Sequence, residues 1–197
     1  IAIRVDPVAD AAILSASNSI TEAAVDGAGG TVDLQLSVAL GDADGSETAT
    51  AVVISGVPNG YKLTSGLITA INGDGTTTWT LRRLPGGAEW EGTKLVGWPE
   101  NKAGALVLGA TVVVTDTDGT IGSFPQALTV SVAPSIDSPG THVGIRGNED
   151  AWTRLAISAG TPDGDGSERI VGNVTLSQVP EGVQVQADGI VLPATPV

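Results

Sequence analysis

The chain has 197 residues and a mass of 19.6 kDa, enough for one large domain or two small ones. It has no Cys, no Met and a single His, so disulfides, thiolate metal sites, cysteine nucleophiles and nearly all imidazole chemistry are excluded. A formal charge of −13 opposes nucleic acid or an anionic membrane as partner, while 41% hydrophobic residues exclude a disordered acidic tail.

Helical periodicity is nearly absent, and short alternating segments stand between clusters of Gly, Pro, Asn and Asp, the pattern of strands and turns. Ile1 is not a natural start and no basic and apolar leader precedes it, so the chain is expected to be a piece of something longer. A weak strand is expected from Ala11 to Ala16. The clearest strand spans Val32 to Leu40, where Val32, Leu34, Leu36, Val38 and Leu40 would face a core and Asp33, Gln35 and Ser37 would face water. Further strands are expected at Ala49 to Ser55, Leu67 to Ile71, Thr77 to Leu84, Leu106 to Thr115 and Ala127 to Val132. The segment from Ala105 to Thr115 is the longest apolar run; it falls far short of the ~20 residues of a membrane span and is interrupted by Gly109. About seven strands separated by turns indicate an all-β chain and a sandwich.

The sequence also repeats at a long period. Asp10 and Glu22 recur 127 positions on as Asp137 and Glu149, and Asp42-Ala-Asp44-Gly45-Ser46-Glu47 recurs 121 positions on as Asp163-Gly-Asp165-Gly166-Ser167-Glu168. Val57-Pro58-Asn-Gly60 returns as Val179-Pro180-Glu-Gly182, and Ser65-Gly66-Leu67-Ile68 as Asp188-Gly189-Ile190-Val191. Tandem domains follow. Residues 1–9 read as the last strand of a preceding copy, 10–136 as one complete copy, and 137–197 as the first half of another. Half a sandwich exposes its core face and unpaired edges, so its remaining strands are expected either from elsewhere in a longer polypeptide, with a domain inserted between the halves, or from a chain that simply continues.

Carboxylates gather in turns: Asp42, Asp44 and Glu47; Asp116 and Asp118; Asp163, Asp165 and Glu168; and the linker positions Asp10 and Asp137. Ca²⁺ takes six to eight oxygens, and an Asp-x-Asp-Gly turn offers two carboxylates on a tight bend. It is not an EF-hand, because Gly is fourth and Glu sixth where that loop wants them sixth and twelfth. A solvated acidic turn is the alternative. Threading the strands as a sandwich separates the two, because it brings Asp42, Asp44, Glu47, Asp116 and Asp118 to one pole beside Asp10. It brings Glu22, Glu89 and Glu91 to the other, facing Asp137, Asp163 and Asp165. Carboxylates converging in that number repel one another without a cation.

The Asp-x-Asp-Gly-Ser-Glu turn, the Val-Pro-x-Gly after it, the Gly73 to Leu81 strand, the Val113 to Gly119 stretch and the Val132 to Pro139 linker together resemble known repeats. They are similar to the immunoglobulin-like, cadherin-like repeats of giant bacterial adhesins secreted by type I systems, the repeats-in-toxin adhesins. The resemblance implies tandem immunoglobulin-like β-sandwiches and a monomeric, non-enzymatic, calcium-stiffened extender on the surface of a Gram-negative cell. Such a module projects a ligand-binding domain for adhesion and biofilm formation. Its partners would be neighbouring repeats and an inserted sugar- or peptide-binding domain. The implied Ca²⁺ ligands are Asp10, Glu22, Asp42, Asp44, Glu47, Glu89, Glu91, Asp116, Asp118, Asp137, Glu149, Asp163, Asp165 and Glu168.

Other chemistry finds little support. No Gly-x-Ser-x-Gly elbow occurs, and His142 has no second His to complete a site. Glu89 and Glu91 are separated by one residue and so share a strand face, which does not suit a carboxylate pair straddling a glycosidic bond. Trp79 reads as core, whereas Trp90, Trp98 and Trp152 suit either packing or sugar stacking. The second functional reading is therefore a lectin-like module acting through Trp and bound calcium.

Overall fold

A computed structural model describes residues 8–16, 19–41, 45–137, 139–144, 148 and 151–192. Asp42, Asp44, Glu149 and most of the expected strand at residues 1–9 lie outside these. The chain is mostly β-sheet. The strands of residues 10–136 are β1 (Ala12–Ala16), β2 (Ser19–Thr21), β3 (Thr31–Asp33), β4 (Leu36–Leu40), β5 (Glu47–Val57), β6 (Lys62–Leu63), β7 (Leu67–Ile71), β8 (Thr77–Leu84), β9 (Gly87–Ala88), β10 (Lys94–Val96), β11 (Gly104–Asp116) and β12 (Ile121–Ala133). One helix, α1 (Glu22–Gly27), follows β2. Beyond residue 137 come β13 (Gly140–Gly144), β14 (Ala156–Gly160), β15 (Gln186–Ala187) and β16 (Ile190–Val191).

The largest sheet runs β2-β12-β11-β5-β8-β7, with β9 beside β8. Its pairings are antiparallel except that of β2 with β12, which is parallel. Two smaller sheets pair β1 with β4, and β3 with β10 with β6. A single core draws Val52, Ile54, Leu81, Leu108, Val112 and Val130 from the large sheet and Ala12, Val32, Leu36, Leu63 and Leu95 from the small ones. In β11 the alternation is strict, with Leu108, Ala110, Val112 and Val114 buried, and each fully buried aliphatic contributes about 1.5–3 kcal/mol.

Three departures from the sequence expectations position the site. Val32 to Leu40 is two strands, because Gln35 takes a left-handed φ of 44° and donates its N–H to Asp33 Oδ1 at 3.1 Å. Its alternation survives the break: Val32, Leu34 and Leu36 are buried, and β3 turns to β10 while β4 turns to β1. Second, α1 has no counterpart in the strand reading. It spans only six residues, too few to show a helical period, and buries Glu22 and Val25. Third, Trp90 and Trp98 are 1% and 5% exposed, so of the three tryptophans left open by the sequence only Trp152 faces solvent.

Residues 137–192 reproduce part of this plan. β13 pairs antiparallel with β14 as β1 pairs with β4, at the matching place in the repeat. Val171, Val174, Val183 and Ile190 are exposed there.

Candidate metal centre

The buried row of β11 does not stop at Val114; its next inward position is Asp116, 4% exposed. On β5 the inward row likewise begins at Glu47, 7% exposed, two residues before buried Ala49. Glu47 and Asp116 are register partners, so two carboxylates end two adjacent core-facing rows side by side. Glu47 Oε1 accepts the backbone N–H of Asp10, while among the described residues no donor reaches its buried Oε2. Asp116 Oδ1 accepts the Thr117 hydroxyl at 2.9 Å, and the Thr117 N–H ties this turn to the Ser46 carbonyl at 2.9 Å. Asp118 is exposed on the same turn. Its Oδ1 accepts the Thr120 N–H at 2.7 Å, and hydrogen bonds from Thr120 hold its carboxyl below the usual range.

The same arrangement recurs one repeat later. Asp137 donates its backbone N–H to Glu168 Oε1 at 2.9 Å, and Glu168 Oε2 is again buried without a partner among the described residues. These are the repeat equivalents of Asp10 and Glu47.

At this junction Glu22, Asp163 and Asp165 converge, with one carboxylate oxygen of each lying within 4.8 Å of the others. Glu22 comes from α1 of the first copy and is 1% exposed; the aspartates come from the turn of the second. Glu22 Oε2 accepts the Ser135 N–H at 3.3 Å, and Oε1 is buried without a partner among the described residues. Burial first, then the nearby charges of Asp163, Asp165 and Asp26, pushes the Glu22 carboxyl above its ordinary range, despite the hydrogen bond from Ser135. Asp165 moves the other way because backbone N–H groups stabilise its charged form, above all that of Ser167, donated to Oδ1 at 2.7 Å. Asp165 also lines a cleft of about 390 Å³ with Pro99, Lys102 and Pro162.

Glu89 and Glu91 are not brought to this group. Glu89 accepts the Arg82 N–H at 2.7 Å and pairs with the Arg82 guanidinium at 3.7 Å, because the β8–β9 hairpin folds it back on its own strand. Glu91 is exposed in the turn beyond.

A buried carboxylate oxygen with no donor costs several kcal/mol unless a charge offsets it. Among the described residues Glu22, Glu47 and Glu168 each carry such an oxygen; Glu22 lies by Asp163 and Asp165, and Glu47 is the register partner of Asp116. A donor set of oxygens alone fits a hard divalent cation and suits neither zinc nor copper. Among known proteins no family model matches the chain, nor does any curated protein or solved structure.

Proposed function

We propose that this chain is a calcium-stiffened structural module of a large extracellular adhesin, built of tandem immunoglobulin-like repeats with the boundaries 1–9, 10–136 and 137–197, and without enzymatic activity. The observation that carries the reading is the junction group. A buried Glu22, with one oxygen unpartnered among the described residues, comes from one copy and meets Asp163 and Asp165 from the next. A cation held there takes ligands from both copies and so fixes their relative angle. The paired orphans at Glu47 and Glu168 support a cation at each successive junction, with Asp42 and Asp44 as further ligands of the first. The strand order supports the immunoglobulin-like assignment, since β1 pairs with β4 while β2 crosses to lie parallel beside β12, one edge segment serving two sheets.

In this reading the second copy is completed by strands equivalent to β8, β11 and β12, and the stiffened rod projects a ligand-binding domain from a bacterial surface. With Trp90 and Trp98 buried, Trp152 is the one of these three tryptophans left to a directly sugar-binding module, which favours the structural reading. Calorimetric titration of the chain with calcium tests the proposal. Saturable binding that weakens in Glu22→Gln supports it, and absence of binding in the native chain refutes it.

A further inference from the structure

Helix α1 carries two carboxylates four residues apart, Glu22 and Asp26, which share one helix face. Glu22 enters the junction group directly. Asp26 turns to the neighbouring loop, where both of its oxygens accept the backbone N–H of Asn101 at 3.2 Å. Asn101 sits at a left-handed φ of 50°, a conformation that costs free energy in any residue but glycine and that its surroundings must hold.

The loop around Asn101 is tied at its other points as well. The Gly30 carbonyl, just past α1, accepts the N–H groups of Gly97 and Trp98, both at 3.0 Å. This approach is so close that a Cβ on Gly30 would lie 2.4 Å from the Trp98 carbonyl oxygen. Trp98 Nε1 donates to the Lys102 carbonyl at 2.7 Å and closes the loop on itself. At its far end Ala103 donates its N–H to Asp165 Oδ2 at 2.9 Å. With Oδ1 taken by Ser167 and Oδ2 by Ala103, the Asp165 carboxylate is held in one orientation, with one of its oxygens within 4.8 Å of oxygens of Glu22 and Asp163.

We infer that Asp26 is a positioning residue for the junction cation: through Asn101 it clamps the 99–103 loop, whose Ala103 N–H presets Asp165 as a ligand. The inference rests on the calcium reading above. Groups that orient a metal ligand typically change metal affinity by 10–100-fold when removed. One helix then contributes a ligand and sets the loop that aligns a second ligand from the next copy.

The test is calorimetric calcium titration of the full chain, with the junction site defined as the binding lost in Glu22→Gln. Asp26→Ala is expected to weaken that site about tenfold. Asp26→Asn, which keeps an oxygen for the Asn101 N–H, retains native affinity, and Asn101→Gly, which keeps the N–H and suits a positive φ, does the same. Ala103→Pro, which removes the N–H given to Asp165 without touching α1, weakens the site as Asp26→Ala does and serves if that variant does not fold. Native affinity in both Asp26→Ala and Ala103→Pro, with Glu22→Gln still impaired, overturns the clamp alone. Equal losses in Asp26→Asn and Asp26→Ala overturn it too, because they make Asp26 a direct ligand or a bulk charge. A native chain that binds no calcium overturns the calcium reading and the clamp together.

Discussion

In β5, Val52, Ile54 and Val57 are fully buried, whereas Val174, Leu176 and Val179, each 122 positions further on, are 64%, 37% and 39% exposed. The flanking sequence is nearly the same, Asp-x-Asp-Gly-Ser-Glu before and Val-Pro-x-Gly after. Yet β5 is an eleven-residue strand and residues 168–179 form none. What differs is the neighbours. Ile54 lies opposite Ala110 of β11 on one side and Trp79 of β8 on the other, and no described strand pairs with residues 168–179.

A second pair of segments shows the same effect. β6 and β7 pair with β10 and β8, but their repeat equivalents β15 and β16 pair with each other, Gln186 opposite Val191. By contrast the β1–β4 pairing, whose two strands both lie in the first half of a repeat, recurs intact as β13–β14. Strand state here is decided by long-range pairing more than by local propensity.

The comparison can be sharpened by substitution. Ile54→Ala, in the fully buried row, is expected to cost about 2–5 kcal/mol in urea unfolding, while the matching Leu176→Ala changes stability by less than about 0.5 kcal/mol. Equal costs would mean that residues 168–179 are packed as β5 is.

The next largest effect is on the junction. Calcium at 100 times its Kd stabilises the native chain by about 2.7 kcal/mol per site, read as a rise in Tm that a chelator reverses. Glu22→Gln should lose one such contribution.

Without calcium the sign inverts. The folded state raises the Glu22 carboxyl above 4.5, so it binds that proton more tightly than the unfolded chain does. The resulting cost is absent below about pH 4.5 and complete once pH exceeds the raised value. In chelator at neutral pH, Glu22→Gln is therefore expected to be more stable than native by roughly 1–3 kcal/mol, and the difference to shrink as pH falls toward the ordinary Glu range. A neutral-pH loss of stability in chelator would show that the unpartnered oxygen is satisfied. Smallest of all is Glu91→Gln, exposed and outside the junction group, which should alter neither calcium affinity nor Tm.

Much of this architecture was legible in residue order. The alternation of β11 and β12 located principal strands, the repeat of Asp-x-Asp-Gly-Ser-Glu marked Asp163 and Asp165, and the recurrence of Glu22 as Glu149 marked Glu22. Strict parity also marks two carboxylates. Asp116 and Glu47 stand on the inward parity of their strands, a buried-carboxylate signal independent of any motif.

Other features had no local mark. The break at Gln35 arises because β3 and β4 serve different sheets, which only the tertiary partners β10 and β1 decide. Glu89 was drawn to the junction by chain order, whereas the β8–β9 hairpin delivers it to Arg82. Asp26 carries no mark in the sequence because its partner is a backbone N–H 75 residues away on a loop without a motif.

The central claim is that a cation joins the copy at residues 10–136 to the segment beyond 137, and small-angle scattering of the native chain with calcium and then with chelator tests it directly. The expected result is a narrow distribution of interatomic distances in calcium that broadens on chelation, with Glu22→Gln broad in both. Superimposable curves for the native chain in the two conditions would contradict it.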